Sequence, residues 1–495
     1  MRISCNWIAD YVQTDWTPQE LGDRLTMSGL EVESIDPMGS DLEGVVVGHV
    51  LDVQPHPDAD RLRVCQVNLG SGDPVQIVCG APNVAAGQRV PVATEGTVLH
   101  LPDRKNPDEL VPVTIKKSKI RGQESRGMIC AEDELGLGDD HDGIMVLADD
   151  APLGKSFAEY LSGQGILTSD ISIDLAITPN RPDAISHLGV ARDVGALAET
   201  PVTRPDVKVP ANGGPAADAF SVDIQAPDGC HRYTGILVRG VTIGESPQWM
   251  RARLESVGLR PVNNVVDITS YVMYECGQPL HAFDFDQLAG ARIIVRRSKP
   301  GQVFTTLDGK ERKLPDGTLM IADGDRDVAV AGVMGGENSE VSDQTVNVLI
   351  ESAWFNPADI RKASKALQLQ TDASYRFERG VDPTGQPWAA ARAAELMRDL
   401  AGGEIVDGMV DANPVAWTPR TLELRHARIT TVLGIEVPTD ACERLLRAIG
   451  FEVRGDGTPW QVTVPPFRPD VEREIDLIEE VARLYGLDQI PVPSH

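Results

Sequence analysis

The sequence predicts a multidomain α+β protein with a small β-barrel inserted into its first module. The chain has 495 residues, and single hydrophobic cores rarely exceed about 250 to 300 residues. Apolar residues make up 41% of the chain and charged residues 24%, as in ordinary globular proteins. Strand-rich and helix-rich tracts alternate along it, separated by Gly and Pro. We therefore expect several separate cores.

The first module is predicted from two separated stretches. Residues 1–39 contain a helix entry at Thr17, Pro18, Gln19 and Glu20, and residues 158–200 contain a turn followed by a helical stretch. We predict that together they form a small N-terminal α/β module. Between them, in residues 40–157, short β-branched runs alternate with Gly, Pro and Asp turns. This pattern is typical of a small barrel, and we predict an OB-like barrel.

The second half of the chain is predicted to contain a linker and two α+β modules. Residues 201–218 are rich in Pro, Gly and Ala, as linkers are. Residues 219–400 mix strand and helix patterns and predict the larger module. Residues 401–491 show a strand, a helix ending on Gly450, a hairpin and a last helix. We predict that they form a small module.

Composition limits the classes of partner and compartment. The net charge of -28 argues against a protein that coats nucleic acid over its whole surface, because binding a polyanion requires a basic footprint. The absence of a long apolar run or a charged leader predicts a soluble chain in the cytoplasm. Seven cysteines without a C-x-x-C pair predict reduced thiols rather than disulfides or a zinc site.

One local cluster of positive charge lies in the predicted barrel. Five basic residues fall within eleven positions and face one acid, Glu124. Barrels of the OB type often bind single strands or folded RNA, so the cluster predicts a local RNA contact. A solvated basic hairpin is the alternative, and charge alone favours it. The basic residues are Lys116, Lys117, Lys119, Arg121 and Arg126.

The larger α+β module holds a dispersed polar set. A His, a Glu, a Thr hydroxyl and nearby small residues could hold an aromatic amino acid and place water on its ester. Spacing alone does not establish this, since a lone His beside a Pro-Leu turn is more often structural. No Gly-rich loop for binding ATP phosphates occurs. The residues of this set are His281, Gly335, Glu351, Thr371 and Ala373.

The last predicted helix carries crowded negative charge. Asp476, Glu479 and Glu480 stand at i, i+3 and i+4, and Asp470 precedes the helix. Like charges at this spacing cost a few tenths of a kcal/mol per pair, so they require either solvent or a cation. Charge alone favours a solvated face.

Eight segments, in a fixed order, carry a resemblance to a known family. They are MRISCNWIADYV, HPDADRLRVCQV, IRGQESRGMICAEDELGL, TPNRPDAISHLGVARD, NVVDITSYVMYECGQPLHAFD, AGVMGGENSEV, TDASYRFERGVDP and RPDVEREIDLIEEVARLYG. Together they cover nearly the whole chain and resemble the bacterial phenylalanyl-tRNA synthetase β subunits. Members of that family run further at their C-terminal end.

The resemblance implies an α2β2 heterotetramer that attaches phenylalanine to its tRNA with ATP and magnesium. The catalytic core would lie in the α subunit, so this chain would not aminoacylate alone. The barrel would bind tRNA, residues 219–400 would be the B3/B4 editing module, and residues 401–491 would be the B5 module. The alternative is a free-standing tRNA-binding or editing protein.

The resemblance also implies site residues by position. His281, Gly335, Glu351, Thr371 and Ala373 match the editing pocket that hydrolyses tyrosyl-tRNA, with Glu351 reading the phenol hydroxyl. The magnesium ion of the family, shared with the α subunit, is expected to bind weakly on four exposed carboxylates. These are Asp470, Asp476, Glu479 and Glu480. The alternative is that Arg or Lys of the α subunit fills this site.

Overall fold

Two units divide the chain. The barrel unit comprises residues 37–170, and the main unit comprises residues 1–36 and 171–495. The computed structural model describes residues 1–39, 42–102, 110–138, 142–164, 166, 169–337 and 340–490. Among these residues, no helix combines the length and the apolar character that crossing a lipid bilayer requires.

The chain opens with a small β-α-α-β segment. Thr17 caps the second helix in a capping box: its hydroxyl accepts from the Glu20 amide, and the Glu20 carboxylate accepts from the Thr17 amide. The helix entry predicted at Thr17 is confirmed. The elements are β1 (Arg2–Ser4), α1 (Cys5–Ala9), α2 (Pro18–Met27) and β2 (Glu31–Gly39).

The barrel unit is built on one five-stranded antiparallel sheet. Its strands follow the order β11-β6-β3-β4-β5, with separate ribbons β7-β8 and β9-β10. Alternating inward side chains such as Val45, Val47 and Val92 form its core. The elements are β3 (Val45–His56), β4 (Ala59–Asn68), β5 (Val75–Cys79), β6 (Arg89–Ala93), β7 (Val98–Pro102), β8 (Leu110–Thr114), β9 (Ser118–Ile120), β10 (Gln123–Ser125), β11 (Met128–Ile129) and α3 (Phe157–Gly163).

The chain then returns to the opening segment. Strand β12 (Ser169–Ala176) pairs between β1 and β2 in a three-stranded sheet. Helix α4 (His187–Ala198) begins at Ser186, whose hydroxyl accepts from the Gly189 amide. It is buried along most of its length, so segments 1–36 and 171–200 share one core.

Two five-stranded sheets form the centre of the main unit. The first has the order β15-β22-β14-β23, with β24 also paired to β14, and the second has the order β13-β16-β19-β20-β21. Helices α7 and α10 pack on one face of the first sheet, and the second sheet shares a core with its other face. Strands β14 and β22 are therefore buried on both faces.

The central elements begin after residue 201. They are α5 (Pro215–Ala219), β13 (Ser221–Ile224), β14 (Cys230–Arg239), α6 (Gln248–Ser256), α7 (Asn264–Cys276), β15 (Leu280–Asp284), β16 (Arg292–Arg297), β17 (Val303–Thr305), β18 (Glu311–Lys313), β19 (Leu319–Ala322), β20 (Asp327–Val330), β21 (Met334–Gly335), β22 (Asn347–Phe355), α8 (Pro357–Leu367), α9 (Asp372–Phe377), α10 (Gln386–Ala401), β23 (Glu404–Ile405) and β24 (Val410–Ala412).

The C-terminal subdomain, residues 420–490, has its own core around Trp460, Leu477 and Val481. Its three strands follow the order β25-β27-β26. The predicted strand, helix, hairpin and last helix are confirmed. The elements are β25 (Arg420–Leu424), α11 (His426–Leu433), α12 (Thr439–Ala448), β26 (Glu452–Arg454), β27 (Trp460–Val464) and α13 (Glu474–Tyr485).

Candidate active site

The predicted residues His281 and Glu351 lie side by side on neighbouring strands. His281 of β15 is directly opposite Glu351 of β22, and opposite residues of antiparallel strands share one face. Leu349 and Ala353, two residues to either side of Glu351, pack in the core between the two sheets. Because side chains alternate along a strand, Glu351 and His281 also point to that core.

Glu351 is a buried carboxyl that accepts one side-chain hydrogen bond from the part of the chain that the structure describes. It is 7% exposed, and the hydroxyl of Tyr233 donates to its Oε2 at 2.7 Å. Burial raises the pKa of Glu351 to about 7, although the hydrogen bond from Tyr233 acts in the opposite direction. A carboxyl with such a pKa exchanges between its neutral and charged forms near neutral pH, which is typical of functional sites.

Tyr233 is a hydrogen-bond partner of Glu351 that the sequence alone does not identify. It is fully buried on β14. Its burial, and then the charge of Glu351, raise the pKa of its hydroxyl well above the ordinary value, so the phenol remains a donor. A buried Tyr hydroxyl requires a hydrogen-bond partner, and a Tyr directly before the run TGILV of β14 was the available signal. Only the strand register identifies Glu351 as that partner.

His281 presents an unpartnered ring nitrogen. Its Nε2 is buried and has no hydrogen-bond partner among the described residues. Burial lowers the pKa of the ring to about 4, so the imidazole is neutral at physiological pH. The ring packs edge-on against Phe283, with the centroids 4.4 Å apart. A Cβ at Gly335 would lie 2.9 Å from the ring carbon Cε1, so Gly335 leaves the space that the imidazole occupies.

Thr371 and Ala373 adjoin the same core at the start of α9. Thr371 caps this helix: its hydroxyl accepts from the Ser374 amide and donates to the carbonyl of Val333 at 2.9 Å. That bond anchors the start of the helix to Val333, which precedes Gly335 by two residues in the chain. Ala373 packs against the core between the sheets. The structure therefore brings the five predicted pocket residues to one region, and their roles remain a prediction.

The five predicted RNA-contacting residues are exposed on and around a hairpin of the barrel unit. Strands β9 and β10 pair through a two-residue turn at Arg121 and Gly122, both with positive φ, as a tight hairpin requires. Two of the cations have acidic partners: Lys117 contacts Glu124 at 2.9 Å, and Arg126 contacts Glu95 at 2.8 Å. The other three, Lys116, Lys119 and Arg121, have no ion pair with the described residues.

The four carboxylates predicted to hold magnesium are not assembled as a metal site. Within the described ranges, no group of three or more His, Cys, Asp or Glu side chains is disposed to hold a metal ion. Asp470 pairs with Arg468 at 2.7 Å. Asp476 accepts hydrogen bonds from the backbone amides of Glu472 and Arg473, which directly precede α13, and so caps that helix. Glu479 is exposed and has no partner among those residues.

Glu480 gives the physical reason for this correction. It is 2% exposed, and its oxygens accept from Arg468 at 2.6 and 2.9 Å and from Arg483 at 2.7 and 3.0 Å. Burial would raise its pKa, but the hydrogen bonds and charges of the two arginines hold it well below the ordinary value. Guanidinium groups of the same chain thus neutralise the carboxylate, and the residues present do not fit a magnesium ion.

The same arginines extend into a buried network. Arg483 donates to Asp193 of α4 at 2.9 and 3.1 Å. Asp193 also accepts from Arg181 at 3.0 Å, and Arg181 pairs with Asp183 at 2.9 Å. This network ties the C-terminal subdomain to residues 181–193. Its role is structural, because every charge has an opposite partner within the protein.

Three family models match the chain. They are a tRNA binding domain over residues 45–156, a B3/4 domain over residues 229–402 and a tRNA synthetase B5 domain over residues 422–487. Glu351, His281 and Tyr233 lie within the second match, and Glu480 lies within the third. With the mixed α+β architecture, these matches confirm the predicted fold class.

Curated relatives match the chain along its whole length. The phenylalanine–tRNA ligase beta subunit of Salinibacter ruber is 58% identical over 494 residues, which cover 100% of this chain and 60% of the relative. That of Syntrophus aciditrophicus is 45% identical over 99% of this chain and 60% of the relative. The chain therefore spans about 60% of the length of these relatives, and the resemblance predicted from the eight segments is confirmed.

A solved structure is also similar, at greater distance. An N-terminal fragment of the phenylalanyl-tRNA synthetase beta subunit from Pyrococcus horikoshii shows 17% identity and a TM-score of 0.35. The matched region covers 64% of this chain and 87% of the fragment. A likeness of this size carries no further argument.

Proposed function

We propose that the chain, which is similar along its whole length to phenylalanine–tRNA ligase beta subunits, supplies tRNA binding, assembly and hydrolytic editing to such a ligase. The ligase joins L-phenylalanine to tRNA(Phe) with ATP. In this proposal an α subunit carries out that reaction in an α2β2 assembly in the cytoplasm, and uses the ATP and magnesium. The pair of Glu351 and His281, which lie directly opposite each other on neighbouring strands inside the B3/4 match, is the observation that supports editing most directly.

Glu351 would select the substrate. Tyrosine differs from phenylalanine by one ring hydroxyl, which can donate to a carboxylate. A site built to bind a hydroxyl can reject the analogue that lacks it by up to about 10⁴-fold, because its buried polar group is then left unpaired. Glu351 satisfies this condition, since it is buried and only its Oε2 has a partner among the described residues. The pocket would therefore accept tyrosyl-tRNA(Phe) and reject phenylalanyl-tRNA(Phe).

His281 would orient the water. In the hydrolysis, the water oxygen bonds to the ester carbonyl carbon, and the bond from that carbon to the ribose oxygen breaks. One proton of the water passes to the leaving ribose oxygen, and the products are free tyrosine and tRNA with its hydroxyl restored. The neutral ring of His281 offers an unpartnered Nε2 to such a water. Positioning supplies most of the rate, since the described residues place no activated side-chain nucleophile next to Glu351. Burial raises the pKa of the nearby Cys230 thiol well above its ordinary value.

The barrel hairpin would contact the tRNA. Lys116, Lys119 and Arg121 are exposed and keep their charge unpaired by the described residues, whereas Lys117 and Arg126 already face acids. Each phosphate contact adds to the salt dependence of binding. Replacing the three unpaired cations by alanine should therefore reduce the salt dependence of tRNA binding in a filter assay. An unchanged slope would contradict this assignment.

Substitution of Glu351 tests the editing proposal. In the complex with an α subunit, Glu351→Ala is expected to reduce kcat/KM for hydrolysis of tyrosyl-tRNA(Phe) by about 10- to 100-fold, the value of a hydrogen bond to a charged group. The assay follows release of labelled tyrosine. Glu404→Ala, which changes an exposed Glu on strand β23 of the same sheet, is the matched control and should leave the rate unchanged.

Three results would each contradict a part of the proposal. If the wild-type complex releases no tyrosine above the spontaneous rate, the chain does not edit. If Glu351→Ala hydrolyses the ester as fast as the wild type, Glu351 does not read the substrate. Failure of the chain to copurify with an α subunit would contradict the proposed assembly.

A further inference from the structure

The surroundings of Glu351 suggest how its carboxylate is oriented. In the register of β14 and β22, Gly235 is directly opposite Glu351, and Ala353 is directly opposite Tyr233. Two small residues therefore alternate with two large ones on one face of the strand pair. Diagonal neighbours of this kind lie within reach of aromatic and long side chains. The small residues leave space for Tyr233 and Glu351 to meet across the diagonal.

The glycine in this arrangement is required by its neighbour. A Cβ at Gly235 would lie 2.8 Å from Cε2 of Phe220. Phe220 therefore occupies the space above position 235, and no side chain from β14 can stand directly opposite Glu351. The only side-chain hydrogen bond to Glu351 among the described residues comes from the diagonal, from Tyr233 to Oε2.

We propose that Tyr233 is a positioning residue for substrate selection: it holds Oε2 of Glu351 and thereby presents Oε1 to the ring hydroxyl of the substrate. This inference rests on the proposed editing function. A Glu side chain has several rotatable bonds, and fixing it before the substrate arrives removes an entropic cost from binding. The Tyr233 ring is itself fixed, since it is fully buried on a strand with neighbours on both sides.

A merely structural role would have different consequences. If the hydroxyl of Tyr233 only satisfies a buried group, its loss would loosen the pocket and slow hydrolysis of every ester alike. If it positions Glu351, its loss would weaken only the contact with the substrate hydroxyl. That contact is made in the ground state and the transition state, so its loss raises KM more than it lowers kcat.

The test is Tyr233→Phe in the complex with the α subunit. We expect KM for tyrosyl-tRNA(Phe) to rise about tenfold, kcat to change much less, and the slow hydrolysis of phenylalanyl-tRNA(Phe) to stay the same. In a Glu351→Ala background the same substitution should cause no further change. The matched control is Tyr271→Phe, because Tyr271 is also buried. Among the described residues its hydroxyl accepts only from Arg253, away from Glu351.

The possible outcomes separate this inference from the proposed function. A wild-type complex without tyrosyl-tRNA hydrolysis overturns the function itself. Hydrolysis by the wild type with an unchanged KM in Tyr233→Phe overturns only the role of Tyr233, as does an equal loss on both esters. If Tyr233→Phe does not fold, the comparison is made in a Glu351→Gln background. There the double variant Glu351→Gln/Tyr233→Phe is compared with Glu351→Gln, because the neutral amide avoids a buried charge without its donor. KM should again rise, and an unchanged KM overturns the inference.

Discussion

Glu351 in the sheet pocket and Glu480 in the C-terminal subdomain are both nearly inaccessible to solvent, at 7% and 2% exposure. Their neighbours differ. Glu351 accepts one hydrogen bond from a neutral phenol, whereas Glu480 accepts four from two arginines. Burial therefore raises the pKa of Glu351 to about 7, and the arginines hold that of Glu480 well below its ordinary value.

The comparison shows that burial alone does not assign a role to a carboxyl. A buried carboxyl with unused hydrogen-bonding capacity can still bind a ligand, and its charge depends on pH. A buried carboxyl that is saturated by guanidinium groups has no capacity left and serves the fold. Substitutions at these two positions should therefore affect different properties of the protein.

The largest expected effect is on stability at Glu480. Glu480→Ala removes one of two carboxylate partners from each of the buried residues Arg468 and Arg483, which keep Asp470 and Asp193. Removing one member of a buried ion pair costs about 3–5 kcal/mol. Urea unfolding, with hydrogen exchange of residues 420–490 as the local measurement, should show this loss. The control is Glu479→Ala, which removes the exposed neighbour on the same helix and should change the free energy of unfolding by less than about 0.5 kcal/mol. Equal effects of the two variants would contradict the role of the network.

A smaller effect is expected on the pH dependence of stability at Glu351. Folding raises its pKa from 4.5 to about 7, so the folded state binds this proton more tightly. The resulting stabilisation is fully present below pH 4.5 and is lost as the pH rises through about 7. At about 1.4 kcal/mol per pKa unit, the loss is on the order of 3 kcal/mol.

Glu351→Gln should abolish this loss. Unfolding free energies of the wild type and the variant are compared between pH 4.5 and 7, the two pKa values of Glu351. Subtracting the variant's unfolding free energy from that of the wild type removes the contribution of His281, which is the same in both proteins. His281 has a lowered pKa of about 4, so its contribution to stability rises with pH in this range, opposite to that of Glu351. Glu480 provides the contrast, since its stabilisation is lost only as the pH falls below its ordinary pKa of 4.5. Identical slopes for wild type and variant would show that Glu351 titrates normally.

The smallest expected effect is that of magnesium. Asp470 and Glu480 already accept from arginines, so magnesium chloride or EDTA should not change the melting temperature of the chain. Differential scanning calorimetry measures this directly. A rise in melting temperature with magnesium that disappears in Asp470→Asn would restore the magnesium hypothesis for this helix.

Local patterns in the sequence were sufficient for much of the fold. Thr17 and Glu20 form the capping box that their spacing predicts, and Gly450 follows α12 with a positive φ. The strand-rich tract of residues 40–157, where a small barrel is predicted, contains a five-stranded antiparallel sheet. The eight segments also indicated the family. These features depend on residues close together in the chain, whose geometry is set by backbone preference and hydrogen bonding.

The sequence by itself determined the mixed α+β class, the resemblance to the phenylalanine–tRNA ligase beta subunits and the choice of His281 and Glu351 as candidates. Only the tertiary structure decided what surrounds each buried carboxyl. Tyr233 reaches Glu351 from a position 118 residues away, and Asp193 lies 290 residues from Arg483. A helical spacing of i, i+3 and i+4 indicates which carboxylates share a helix surface, but it does not show that arginines from elsewhere reach one of them first. The pKa of a group depends on the distance and charge of its spatial neighbours, and these neighbours are set by strand register and packing.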